Sequence, residues 1–581
     1  MTASDRARPW GGDLGVKMRV VLLSSLLFVA VGAVGPATAA ETKEAAPPVS
    51  VRLRDRETIA FFGDSITEQN LYTAYVETFL LSRFPSKDLA IFNLGWGGDT
   101  ASGGNKRFAR DVIPVRPSLV FVNFGMNDGG YKAYDEATFR NYMAAQGALA
   151  DTIRAAGAAQ VLFTTSPVDD VLRKDQGVYN DTLSRMARGL GRFATERGLP
   201  LIDLLHPMVD VQRRAREKDP GFTMIPDTIH PNPVGHLVMA YLAMRQIDAP
   251  REVGEIVVEG EAVMGRNATV ANAAGWDGGV EFDLTLPFLP FYVPKEARPG
   301  LDLVPLQEEL NRFRLQVKGG PGGGPLVLSI DGKTAGVFAR EDLARGVDLA
   351  LLDDAPWAVA GRTLWKAAQF RWRKHFEAWR VLGLQKPAWM MPTLATFEPY
   401  ARAQRTYADE LGRSMRALAR PGSYHLALRP QGDVVPIRSV ELSPIYPLVT
   451  FDATQPPETN LSGVKWSPAP FVDGQIDLGA RYSGAYDVVA YARVVLNADR
   501  ATTLHLAMGS DDGLAVFLGG AHVFAHDVFR GLKRGEDEVE VPLAAGRNEL
   551  LFKVTQGGGG FGLAIDARVR GLGKVEQITP Q

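Results

Sequence analysis

The chain contains no cysteine in 581 residues, and that absence removes several chemistries at once. No disulfide can form, no thiolate can serve as nucleophile or metal ligand, and no lipid can be attached through cysteine behind a leader peptide. A charge excess of either sign is also missing. Lys and Arg number 64 against 66 Asp and Glu, a net charge of −2, so there is no basic footprint for nucleic acid. After residue 40 no run is long and apolar enough to cross a bilayer. No G-x-S-x-G elbow occurs, which argues against the α/β-hydrolase fold as the home of a nucleophilic serine. The DGKT at Asp331 is no phosphate loop, because Val327 stands where the loop needs glycine.

One apolar run does occur early. Val20 to Val34 follows Lys17 and Arg19 and precedes the small residues Ala37-Thr38-Ala39-Ala40. Residues 1–40 therefore read as an export signal, cleaved near Ala39 or Ala40, with Met18 as an alternative start. The run falls short of the ~20 residues of a spanning helix, so retention as an anchor is the lesser alternative. A periplasmic or secreted protein is expected, without an integral span once the signal is removed.

Residues 55–250 alternate strand-like and helix-like stretches. Ile59–Phe62, Leu89–Asn93, Leu119–Phe124, Gln160–Thr165 and Leu199–Leu204 are short apolar runs without alternation, as in parallel strands buried on both faces. Helical stretches such as Leu71–Arg83 and Ala137–Ala156 lie between them. The pattern predicts an α/β fold, a three-layer α/β/α flavodoxin-like domain on a five-stranded parallel sheet. Residues 251–445 read as a β-rich and helical middle region. It has a hairpin turn at Asp331-Gly332, a flexible Gly319–Pro325 loop, an aromatic stripe (Trp365, Trp372, Phe376, Trp379) read as core, and a helix over Thr396–Ala419. Residues 446–575 carry many short strands with Gly-rich turns, the pattern of a β-sandwich.

Four polar clusters fall at the carboxyl ends of strands or in the last loop of the first domain, where open parallel sheets place their sites. They are Gly63-Asp64-Ser65, NLGWGGDT at Asn93–Thr100, GMND at Gly125–Asp128 and DTIHPN at Asp227–Asn232. A serine hydroxyl needs a base, and the base needs an orienting group. Asp227 and His230, three residues apart, can supply that pair to Ser65. An oxyanion needs fixed donors, for which the candidates are the N–H groups of Ser65 and Gly98 and the side-chain amide of Asn127. Taken alone, Ser65 reads as a helix cap completed by Glu68 in the capping box SITE, and His230 as a loop histidine. Those separate readings leave the clustering on one sheet edge unexplained. The other histidines show no comparable partner set in the sequence: His206, His375 and His425 read as structural, and His236 lies on the following helix.

These blocks resemble those of the SGNH hydrolase superfamily, the GDSL-type esterases and lipases. The resemblance spans the first domain, with Ile66 in place of the usual leucine after the GDS triplet. It implies Ser65 as nucleophile, Asp227 and His230 as acid and base, Gly98 and Asn127 as oxyanion donors with Ser65, and no metal in the catalytic site. Hydrolysis of a short acyl ester follows, most often an O-acetyl group. Export and the extra β-rich modules favour an acylated polysaccharide as substrate. Lipid or lysophospholipid hydrolysis, thioester hydrolysis and a non-catalytic glycan-binding role are the alternatives.

The C-terminal stretches MGSDDGLAVFLGGAHVF and AGRNELLFKVTQGGGGFGL resemble a PA14-type β-sandwich, which implies a carbohydrate-binding role. In calcium-dependent members of that group paired aspartates hold the ion, which makes Asp511 and Asp512 weak candidates for structural calcium. They read equally as turn formers. His522 and His526 with Asp527 have the spacing of a helical zinc pair in a region that reads as strand, so that spacing carries no metal site.

Overall fold

The computed structural model describes residues 50–276, 279–319, 324–385, 394–570 and 573–579. The expected export signal at 1–40 lies outside these residues, as does part of the Gly319–Pro325 loop.

The first domain runs β1 (Arg56–Gly63), α1 (Ser65–Glu68), α2 (Tyr72–Arg83), β2 (Asp88–Asn93), α3 (Ala101–Asp111), β3 (Leu119–Asn123), α4 (Glu136–Ala155), β4 (Ala159–Phe163), α5 (Asp170–Arg173), α6 (Val178–Arg197), β5 (Leu201–Ile202), α7 (Leu205–Lys218) and α8 (Pro233–Met244). Its five strands lie in the order β2-β1-β3-β4-β5, all parallel. Ile59, Ala60, Phe61 and Phe62 are all fully buried, which is why β1 shows an unbroken apolar run rather than alternation. The fifth strand is shorter than its apolar run, only Leu201–Ile202, because Leu204 already turns into α7. In this strand order the switch point lies between β1 and β3, so the loops that follow them flank one crevice.

The middle region forms two sheets, one of four strands and one of five. Asp331 and Gly332 both have positive φ, 50° and 79°, and join Leu326–Ile330 to Lys333–Phe338 as a two-residue hairpin. A long helix, Pro356–Phe376, continues into a π-helix, Glu377–Gln385, and helix Leu394–Leu418 returns beside it. The aromatic stripe of this arm packs on the first domain: Trp365 stacks on Tyr75 with ring centroids 4.7 Å apart, and Trp379 meets Trp96 edge-on at 6.2 Å.

The hydrophobic core runs without a break from the first domain into the middle region. Two buried arginines bind the parts reciprocally. Arg83 of α2 donates to the carbonyls of Leu289 (2.7 Å) and Leu310 (3.0 Å) and to Asn311 Oδ1 (2.7 Å). Arg371 of the long helix donates to Glu77 Oε1 at 2.6 Å and to the Ile91 carbonyl. Burial draws the Arg83 guanidinium down to about 9, so this anchor depends on every hydrogen bond it makes.

From Val434 onward the chain forms a separate β-sandwich. One sheet centres on Thr502–Ser510 and Gly562–Arg570, the other on Val488–Ala498 and Gly546–Gln556. Leu506, Met508 and Ile565 of the first sheet share a buried core with Ala492, Val494 and Phe552 of the second. Asp512 has φ of 63° and is buried, and its two carboxylate oxygens accept the N–H groups of Arg530 (3.1 Å) and Gly557 (2.7 Å). Among the described residues no group of three or more His, Asp or Glu side chains is arranged to hold a metal ion.

Candidate active site

The site begins where β1 ends. A Cβ on Gly63 would lie 2.3 Å from Thr67 Oγ1 and 2.5 Å from the Asn123 carbonyl, so only glycine fits between β1 and β3. The next residue, Asp64, is the cap of α1, its Oδ1 accepting the N–H of Ile66 at 3.0 Å. This corrects the capping-box reading of SITE: Ser65 is the first helical residue rather than the cap, and the Glu68 carboxylate turns away to other partners. Helix α1 is four residues long, so a helix dipole contributes little at Ser65. What the turn does provide is a Ser65 N–H without an intrahelical acceptor.

Asp64 is fully buried, and among the described residues its Oδ2 has no hydrogen-bond partner. Burial, with Asp128 and Asp99 nearby, outweighs the Ile66 N–H and pushes its carboxyl up to about 8. Asp128 is likewise pushed up by burial, to about 7, while its Oδ1 holds the N–H of Ala101 at 3.0 Å and so ties the third block to the second.

After β2, the Trp96 carbonyl accepts the N–H of Asp99 at 3.1 Å, closing a turn with Gly98 at φ +74°. A side chain there would meet no atom within 4 Å, so it is the left-handed backbone that calls for glycine. Arg107 of α3 grips this loop from within, through Asp99 Oδ2 (2.6 Å), the Leu94 carbonyl (2.9 Å) and the Gly63 carbonyl (3.0 Å). After β3, Asn127 is oriented at both ends of its amide. Tyr131 Oη donates to Oδ1 at 2.7 Å, and Nδ2 donates to the Asp99 carbonyl at 2.8 Å. Among the described residues no protein acceptor takes the N–H of Ser65 or of Gly98.

The last block folds as a tight turn. Asp227 Oδ1 accepts the N–H groups of Ile229 (2.9 Å) and His230 (2.6 Å), and Thr228 is held at φ +77°, a strained value for a β-branched residue. His230 Nδ1 lies 2.7 Å from Asp227 Oδ2, and His230 Nε2 lies 2.8 Å from Ser65 Oγ. Partial burial works against ionisation of Asp227. The N–H groups of His230 and Ile229 and the imidazole outweigh it and hold the carboxyl below the usual range. Beneath the turn, Asp169 donates its N–H to the Thr228 carbonyl at 3.1 Å and accepts from Arg216 and Thr223. Asn232 caps α8 through the N–H of Gly235 at 3.0 Å, with Pro233 at the first helical position.

Of the five sequence-named residues, Ser65 opens the short helix α1, and Gly98, Asn127, Asp227 and His230 sit on loops at the same edge of the sheet. Sequence reasoning missed Tyr131, Arg107 and Asp169, which orient these loops. The reading of His206 needs correction. It lies 2.7 Å from Asp203 Oδ2 and 2.9 Å from Ser184 Oγ, a second Ser-His-Asp triplet. The signal was present in the repeated Asp-x-x-His spacing of Asp203–His206 and Asp227–His230. The reading of His236 as a residue of the next helix holds. It is buried and drawn down to about 3 by burial, and it bridges the Tyr72 N–H (3.3 Å) and Gln69 Oε1 (2.7 Å) as a neutral ring.

Residues 61–238 match the GDSL-like lipase/acylhydrolase family. This part of the chain is therefore a domain of that family, of the SGNH type, and the class of protein it defines is a carboxylic ester hydrolase. The chain is also similar to two other proteins. An acetylxylan esterase of Geobacillus stearothermophilus is 23% identical over 225 residues, covering 34% of this chain and 96% of that protein. The solved structure of a gut microbial diltiazem-metabolizing enzyme superposes with a TM-score of 0.59 at 25% identity, covering 66% of this chain and 99% of that one. A share of 66% exceeds the matched family domain, so the likeness extends beyond it.

Proposed function

We propose that the protein is an exported serine esterase that removes short acyl groups, chiefly O-acetyl, from carbohydrate. The observation that carries this reading is the hydrogen-bonded chain from Asp227 through His230 to Ser65, at 2.7 and 2.8 Å. Ser65 Oγ attacks the acyl carbon while His230 Nε2 takes its proton. Asp227 accepts the bond from Nδ1–H and steadies the imidazolium. The carbonyl oxygen, now negative, is received by the N–H groups of Ser65 and Gly98 and by Asn127 Nδ2, whose orientation Tyr131 and Asp99 fix. His230 then protonates the leaving alcohol, and water repeats the steps in reverse to release the acid.

The side chain of His230 is 29% exposed and that of Asp227 56%. A site this open suits a small acyl group borne on a bulky chain, since a long acyl chain would find little to be buried against. The name of the acetylxylan relative points the same way. The β-sandwich is assigned the role of holding glycan near the site, and export rests on the leader-like sequence at 1–40. Acetate release from a panel of acetylated polysaccharides, with lysophospholipid as control, tests the substrate. Acetate release from polysaccharide is expected, and cleavage of lipid alone would overturn it.

A further inference from the structure

The arm that crosses the catalytic domain brings an arginine to the loop bearing Gly98. Arg380 lies in the π-helix Glu377–Gln385 and is 7% exposed. Its Nη1 donates to Glu68 Oε1 at 3.0 Å, and its guanidinium lies 3.6 Å from the centroid of the Trp96 ring. The other oxygen of the same carboxylate, Oε2, accepts the N–H of Gly97. Glu68 thus stands three residues after Ser65 on one helical turn and joins the arm to the residue preceding Gly98. The neighbouring Trp379 reinforces the contact, its Nε1 donating to Asp111 Oδ1 at 3.4 Å and its ring meeting Trp96 edge-on. A π-helix is rare and is found frequently at functional sites. Here its residues Trp379 and Arg380 both reach the catalytic domain.

We propose that Arg380 is a positioning residue for the oxyanion loop, acting through Glu68 and Gly97 to set the direction of the Gly98 N–H. The proposal rests on the reading of Gly98 as an oxyanion donor. Gly97-Gly98 has no side chain with which to pack, so its peptide planes must be fixed from outside. Arg107 holds the two ends of the loop, at Leu94 and Asp99. The middle is held by the half-buried Glu68 carboxylate, and Arg380 supplies the counter-charge that keeps that carboxylate against the loop while its cation lies on Trp96. The middle region thereby enters the chemical step without touching the substrate. A donor needed only when the carbonyl oxygen becomes charged acts on kcat rather than on KM.

The test uses the full chain with R380M, R380K, E68Q, the R380M/E68Q double variant and S65A, assayed on an aryl acetate well below the melting temperature of each. R380M is expected to lower kcat by about 10- to 100-fold, the scale of a displaced catalytic group, with KM changed by less than about 2-fold. The Ki of phenylboronic acid, which forms a tetrahedral adduct with an active serine, should rise by the same factor as kcat falls. R380K should recover part of the loss, and the double variant should be no worse than the worse single one, since the three groups act in series. Wild-type kcat and boronate affinity in R380M would overturn the positioning role, as would a lower melting temperature as its sole effect. Should R380M fail to fold, E68Q carries the same expectations. If S65A still turns over, the serine mechanism itself fails; if S65A is inactive and R380M is fully active, only the role of Arg380 fails.

Discussion

Two Ser-His-Asp triplets occur in one domain, and their hydrogen bonds differ little. Ser65, His230 and Asp227 are joined at 2.8 and 2.7 Å, and Ser184, His206 and Asp203 at 2.9 and 2.7 Å. In both, aspartate and histidine are three residues apart and the aspartate accepts the backbone N–H of the histidine. The surroundings differ. Ser184 sits inside helix α6, where its N–H is spent on the helix, and its Oγ accepts from Arg188 Nη1 at 2.8 Å, which occupies a lone pair. Ser65 lies one residue beyond the bend at Asp64 that ends β1, at the switch point of the sheet, and the proposed donors, its own N–H, that of Gly98 and the Asn127 amide, lie on the turns that follow β1, β2 and β3. The proposed site differs from the other triplet in its candidate oxyanion donors, which lie on the loops of a parallel sheet.

The comparison can be broken by substitution. S65A is expected to lower turnover of an aryl acetate by about 10⁴-fold or more, while S184A leaves it unchanged; equal effects in a steady-state assay would erase the distinction. D227N should cost about 10⁴-fold by leaving the imidazole in the wrong tautomer, and D203N should cost nothing. N127A removes a donor that the Ser184 triplet lacks, so a loss of about 10² to 10³ in kcat with little change in KM is expected. A change confined to KM would remove Asn127 from the oxyanion site.

The last contrast concerns stability rather than turnover. Behind Ser65 lies the buried Asp64, whose carboxyl is raised from 3.8 to about 8. The folded protein therefore keeps a proton that the unfolded chain releases. The contribution of this group is full below about pH 4, is lost as pH rises toward 8, and is level above that, with a slope of up to about 1.4 kcal/mol per pH unit. D64N keeps an oxygen to cap Ile66 and cannot ionise. Its melting temperature relative to wild type should rise between pH 5 and pH 8, as read by thermal melts in matched buffers. A difference independent of pH would show that Asp64 is ionised in the folded state.

The four blocks and the parallel sheet were legible because each needs only local information: an apolar run, a turn, and a polar cluster after it. The isolated reading of Ser65 as a cap does not hold because Asp64 and Ser65 are both good capping residues, and the choice depends on where β1 releases the chain. The role of Glu68 was not legible either, since its partner Arg380 lies 312 residues away. The His206 triplet was missed for a similar reason, as Ser184 meets it only once α6 packs on α7. The break near residue 250 marks a change in texture from α/β to β-rich, yet the core passes through it unbroken, because Arg83 and Arg371 lock surfaces that look separate in the sequence.

The central claim is that Ser65, and no other serine, is the nucleophile. Intact-mass measurement and peptide mapping after exposure to a fluorophosphonate test it most directly. One adduct per chain, on Ser65, formed in step with loss of activity and absent in S65A, is the expected result. An adduct on Ser184, or full turnover with Ser65 modified, would contradict it.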